Sequence, residues 1–206
     1  MNTVSIFNLR SWSLRLLASF LFIALSHSSF AQTESPHLTF KGVPVDGTLN
    51  EFVTKMKAKG FTGFVNKDGT ASLYGDFAGY KRCHVYVSTL QGKDLVCKIG
   101  VLFPECPTWD TLEGNYMQLK RMLTTKYGEP STMKEEFQHP DWADDDNAKM
   151  LELNMDRCSY STMFSTDKGD IRLTLVSGDF GSGHVFLSYH DKINGIEVEA
   201  VAMEDL

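Results

Sequence analysis

Residues 81–130 read KRCHVYVSTLQGKDLVCKIGVLFPECPTWDTLEGNYMQLKRMLTTKYGEP, and the reading of this stretch decides the fold. Cys83, Val85 and Val87 alternate with His84, Tyr86 and Ser88, the period of a half-buried strand. Gln91-Gly92-Lys93-Asp94 is turn chemistry. Cys97, Ile99, Val101 and Phe103 alternate again before Pro104, so the spacing predicts an antiparallel hairpin. A helix comes next. Thr108 is an N-cap, and Asp110 and Glu113 put negative charge where exposed N–H groups favour it. Leu112, Tyr116, Leu119, Leu123 and Tyr127 recur at helical spacing as one apolar stripe. Lys120, Arg121 and Lys126 fall later, Gly128 suits the left-handed position past the last turn, and Pro130 prevents continuation. The stripe must lie on an apolar surface, and the hairpin supplies one.

The same unit extends in both directions. His37 to Phe40 reads as a short strand, and Thr48 caps a helix carrying Leu49, Phe52, Val53 and Met56, closed by Gly60. Phe61–Val65 and Thr70–Tyr74 read as strands joined by Asn66-Lys67-Asp68-Gly69. After the central helix, Ser131–Phe137 reads as a strand and 138–149 as an exposed loop rich in Pro and Asp. Cys158–Ser165, Ile171–Val176 and His184–Tyr189 read as strands. Gly75-Asp76-Phe77 before His84-Val85-Tyr86-Val87-Ser88 parallels Gly178-Asp179-Phe180 before His184-Val185-Phe186-Leu187-Ser188, which points to an internal repeat. The expected fold is therefore α+β: two tandem α-β-β-β units with helices packed on antiparallel sheet. The units span 32–104 and 105–190, with an acidic insertion at 131–156 and a C-terminal tail at 191–206 that reads as a loose helix or disorder.

Residues 1–31 have the pattern of a secretory signal peptide. Arg10 and Arg15 are the basic region, Leu16–Leu25 the apolar core, and Ser29-Phe30-Ala31 the small-residue site, which predicts cleavage after Ala31 and export to the periplasm or beyond. Loss of two arginines and no acidic residue takes the formal charge from −6 to −8. An acidic chain of this kind is poorly suited to nucleic acid or to anionic lipid. No later apolar run is long enough to span a membrane.

Helix followed by antiparallel meander, taken twice, resembles the layout of β-lactamase-inhibitor-protein-like repeats and of small outer-membrane-assembly lipoproteins. The mature chain also resembles small secreted proteins of gut Bacteroidales. That similarity lies in Phe40-Lys41-Gly42-Val43-Pro44-Val45-Asp46-Gly47-Thr48, in the Phe103-Pro104 to Thr108-Trp109 junction, and in Tyr127-Gly128-Glu129-Pro130. It implies location and fold, and carries no functional residue with it.

Four cysteines, Cys83, Cys97, Cys106 and Cys158, lie outside the leader and are disulfide candidates in an oxidising compartment. Cys97 and Cys106 are joined by extended chain, and Cys83 and Cys97 are not opposite one another in the hairpin. That leaves Cys83–Cys106 with Cys97–Cys158, or a single Cys83–Cys158 bridge, with Cys97 as a plain core thiol in the second case. Around Trp142, the residues His139, Asp141, Asp144, Asp145, Asp146 and Asn147 are oxygen-rich enough for calcium, but without the spacing of a calcium loop; a solvated acidic loop is the simpler reading. An aromatic such as Trp142 on a polar loop is a natural partner contact. His84 and His184 fall on the less apolar face of their strands, where two histidines would suit a metal or acid–base site; a duplicated scaffold explains them equally. Ser165-Thr166-Asp167-Lys168 sits in a turn rather than opening a helix, Gly181-Ser182-Gly183 is no nucleophile elbow, and no cofactor motif is present. The expectation is an exported non-catalytic binding or accessory module, touching its ligand through Trp142, Asp144, Asp145, Asp146, His84 and His184. A small secreted hydrolase using a histidine, or a calcium-stabilised structural module, are the alternatives.

Overall fold

A computed structural model describes residues 35–90 and 92–196. The expected leader and residues 197–206 of the tail lie outside the described residues. In chain order the elements are β1 (Thr39–Phe40), β2 (Val43–Pro44), α1 (Leu49–Ala58), β3 (Thr62–Val65), β4 (Thr70–Phe77), β5 (Tyr80–Thr89) and β6 (Val96–Leu102). Then come α2 (Trp109–Tyr127), β7 (Thr132–Phe137), α3 (Asp146–Asn154), β8 (Cys158–Thr166), β9 (Gly169–Ser177) and β10 (Gly183–Asp191). The fold is α+β, with helices on an eight-stranded antiparallel sheet of order β3-β4-β5-β6-β10-β9-β8-β7. Each long run of strands is sequential within its half, and the halves meet at β6 and β10. That seam runs from Phe186 opposite Leu102 to His190 opposite Lys98.

The central helix forms for the reasons its sequence gives. Thr108 accepts a hydrogen bond from the Thr111 N–H, and Gly128 ends the helix at φ +87°, a conformation costly for any residue with a Cβ. Its stripe of Trp109, Leu112, Tyr116, Leu119 and Leu123 is buried. Helix α1 carries a full capping box: Thr48 accepts from the Glu51 N–H while Glu51 accepts from the Thr48 N–H. Leu49, Phe52, Val53 and Met56 are its buried face. These stripes join the inward residues of the strands, among them Leu73, Val85, Val101, Leu173 and Leu187, in one continuous core. No helix among the described residues is long and apolar enough to cross a membrane.

Three expectations need correction. Residues 138–149 are not simply an exposed loop, because Asp145 caps a helix at Asp146–Asn154 that buries Met150, Glu152 and Leu153. Two helical turns with two apolar anchors and a buried carboxylate gave too weak a periodicity to read. Cys97 leaves the apolar face because the β5–β6 register shifts between Ser88 and Thr89; Val96 takes the inward place and Cys97 is half-buried. All four cysteines are free thiols. Cys97 on β6 and Cys158 on β8 are kept apart by β10 and β9, about 14 Å of sheet, far beyond disulfide reach. Burial pushes the Cys158 thiol up to about 12, with the Glu113 and Glu152 carboxylates adding to it, so it is unreactive as well as unbridged.

At the start of the tail the helical alternative holds, with residues 192–196 helical. Asp191 is buried, and its carboxylate accepts from the Leu38 N–H at 2.8 Å and the Asn194 N–H at 3.0 Å, with His37 Nδ1 at 3.0 Å. Asn194 donates in turn to the Val45 and Val96 carbonyls. These bonds fasten the beginning of the described chain to its end, so residues 191–194 are part of the body. Asp191→Ala strands three donors in a buried site and is expected to cost roughly 2–4 kcal/mol in urea unfolding. A change below about 0.5 kcal/mol would mean that the latch does not bear on stability.

Candidate functional site

The strand pairings place two rows of side chains on the sheet face opposite the helices. One row runs Thr62, Tyr74, His84, Leu102, Phe186, Thr174 across the sheet. The next runs Phe64, Ser72, Tyr86, Gly100, Ser188, Arg172, Met163. On the β3–β5 side this face is aromatic. Phe64 is 58% exposed, Tyr74 44% and Tyr86 40%. His84 lies between the two tyrosines, its ring stacked on Tyr74 at 4.3 Å and tilted on Tyr86 at 3.9 Å. Its Nε2 is covered and has no hydrogen-bond partner. Burial lowers the His84 pKa, so the ring is neutral near pH 7 and belongs to the aromatic cluster.

On the β6–β10–β9 side the face becomes a groove of about 430 Å³. The Phe186 ring forms its floor by lying over Gly100, where a Cβ would come within 2.7 Å of the ring. Lys98, Arg172 and His190 stand along it with the Ser188 and Thr174 hydroxyls.

His184 is on the same face but is not brought together with His84. They stand on β10 and β5 with β6 between, which is about 10 Å of sheet. His84 is on the third long strand of its half and His184 on the fourth. His184 Nδ1 donates to the Phe103 carbonyl at 2.9 Å. The nearby Ser182 hydroxyl is bonded to the Asp179 carbonyl and to Glu105, and shares no hydrogen bond with His184. No nucleophile–base pair is assembled there among the described residues.

Trp142 is 59% exposed, yet one side of its ring is used: it stacks on His139 at 4.2 Å, and the Arg157 guanidinium lies 5.7 Å from its centre. Arg157 pairs with buried Glu152 at 2.6 Å and holds that carboxyl below its usual range. Asp145 is occupied as the α3 cap, accepting from the Ala148 N–H at 2.8 Å, and Asp146 lies in the first turn. Asp144 is exposed beside them. Among the described residues no group of three or more His, Cys, Asp or Glu is placed to hold a metal ion. The aspartates that suggested calcium are largely a helix start.

Sequence reading passed over three features. Phe180 is fully exposed at φ +52°, on a loop closed by the Gly178 N–H to the Ser182 carbonyl at 3.0 Å. Its place in the Gly178–Gly183 run was visible, but its outward aim was not. The aromatic face of β3–β5 was concealed because exposed Phe64, Tyr74 and Tyr86 read as ordinary strand residues. The groove needed the β6–β10 pairing, which no local pattern encodes. No protein-family model, characterised protein or solved structure matches this chain.

This geometry has two testable outcomes. With a lowered folded pKa, His84 disfavours protonation in the native state, and His190 is shifted the same way by burial and by Lys98 and Arg172. Their stabilising effect is complete above the unfolded value near 6.5 and is lost as pH falls through the folded values. Urea midpoints should therefore drop as pH falls below about 6.5, and His84→Tyr with His190→Gln should flatten that slope; an unchanged slope counts against the assignment. Separately, Phe180→Gly should leave stability unchanged or raise it by up to about 1 kcal/mol, since it relieves a left-handed backbone and uncovers nothing. A loss above about 2 kcal/mol would show that the ring packs.

Proposed function

We propose that this chain is an exported, non-catalytic binding or accessory module, and that the helix-free sheet face is its working surface. One observation carries the reading: Phe64, Tyr74 and Tyr86 present large, partly exposed rings on one face while the other face of the same sheet holds the core. Aromatic side chains displayed this way supply contact area at low entropic cost, and they dominate binding energy where they occur at interfaces. The rings on β4 and β5 are held by cross-strand pairing, so the surface is already ordered before a partner arrives. Export is supported by the sequence pattern of residues 1–31.

The test is affinity capture from the envelope and culture medium of the producing cell, with stoichiometry read by mass spectrometry. One stoichiometric partner, lost with Tyr74→Ser plus Tyr86→Ser and retained with the charge reversal Asp144→Lys, is the expected result. A partner held equally well by the tyrosine variant, with circular dichroism unchanged, would move the working surface elsewhere.

A further inference from the structure

We infer that the groove on the β6–β10–β9 side of the sheet face binds a small amphiphilic anion: a single carboxylate head with an apolar body. This rests on reading that face as the binding surface, and it names the chemistry of one half of it.

The first consideration is charge. The chain is acidic, at −6 overall, yet this groove gathers two cations, Lys98 and Arg172, against one carboxylate, Asp170. Neither Lys98 nor Arg172 makes an ion pair among the described residues. The Arg172 guanidinium instead contacts Met163 Sδ, at 3.7 Å. Both cations depress the pKa of His190, which stands directly across from Lys98 in the seam. Like charges placed together on a sheet face repel one another, and an anion between them removes that cost.

The head group is limited by Asp170, which faces His190 in the β9–β10 register and lines the same groove. Its carboxylate offsets part of the positive field, so the site as a whole favours a single negative charge over a doubly charged phosphate. The body is set by the floor. Phe186 lies over Gly100, and Met163 lines the groove beside it, an aromatic and a polarizable surface suited to an alkyl or ring body. Ser188 is buried between the floor and the charged rim, while the half-buried Thr174 hydroxyl donates to the Phe186 carbonyl at 3.4 Å. A groove of about 430 Å³ lies within the range of small-ligand sites, which combine a mostly apolar lining with a few convergent polar groups.

The experiment titrates the purified chain with decanoate, and with acetate and decanol as head-only and body-only probes, by calorimetry and by amide chemical shifts. Decanoate is expected to bind saturably with a Kd below about 1 mM, at a strength neither control matches. Lys98→Ala combined with Arg172→Ala should weaken it at least about tenfold, the scale of a charge-assisted hydrogen bond. Gly100→Ala, which drives the Phe186 ring off its place, should weaken it without removing a charge. Amide shifts confined to β6, β9 and β10 would place the ligand. Absence of saturable binding overturns the inference, as does decanoate affinity indifferent to the double substitution in a folded variant, or acetate binding as tightly as decanoate. Tyr74→Ser plus Tyr86→Ser separates the two readings. If decanoate fails while partner capture still depends on those tyrosines, the groove falls and the binding module stands. If decanoate binds and capture does not depend on them, the groove stands alone.

Discussion

The structure depends on one pairing, that of β6 with β10. Each half of the chain builds its own meander next to its own helix, and every strand pairing inside a meander joins neighbours in sequence. Among the long strands only the seam joins distant residues, setting Val101 beside Leu187 and Ile99 beside Tyr189. All four are buried, so the seam is also the middle of the core. Sheets of two to four strands expose much of the apolar surface they should cover, whereas eight strands offer a face wide enough for α1, α2 and α3. The seam also moves the unpaired edges to the two ends. At one end β7 carries Lys134, Glu135 and Glu136, charges that discourage further strand addition. At the other end β3 is only four residues long.

Closing the sheet this way commits one face to the helices and leaves the other without an internal partner. An antiparallel sheet with a solvated face normally alternates apolar inward with polar outward. Here two groups stand among outward residues such as Thr62, Ser72 and Thr174. Near β3–β5 the group is of rings, and near β6, β10 and β9 it is of cations around an aromatic floor. The division falls along the β5–β6 pairing, because the groove straddles the seam, with Lys98 on β6 and His190 on β10. Gly100 marks the line: it is the residue between Tyr86 and Ser188, and the gap it leaves is filled by Phe186 from the next strand.

Local features were legible in the sequence. The β5–β6 hairpin, the capped helix α2 and the Thr48 cap of α1 each arise from residues a few positions apart, and all formed as read. The outward placement of His84 and His184 also came from parity. Parity failed at Cys97, where one bulge moved the side chain off its face, since a single extra residue inverts every later inference about sides. The disulfide pairings failed because they required strand order, and order is set by the seam. Helix α3 was missed because its stability comes from Met150 and Leu153 packing on the sheet and from Glu152 paired with Arg157, not from a periodicity visible in so short a helix. Trp142 was rightly read as exposed, while its stacking on His139 could be seen only in three dimensions. The groove was illegible for the same reason as the disulfides: Lys98, Arg172 and His190 belong to three strands far apart in sequence.

That asymmetry bears on how the open face should be understood. Residues that face the core are fixed by packing, and their identities need no further explanation than the fold. Outward residues of the same strands are under no such demand, because polar substitutions there remove little buried area. Serine or threonine in place of Phe64, Tyr74 and Tyr86 would cost the fold their half-buried area and the ring contacts to His84, a small loss beside the core on the other face. Phe180 makes the point most sharply, since its ring covers nothing and its backbone is held in a conformation that favours glycine. Stability does not account for these choices. They share a position where a second molecule can reach them, and the fold has already fixed their geometry before it arrives.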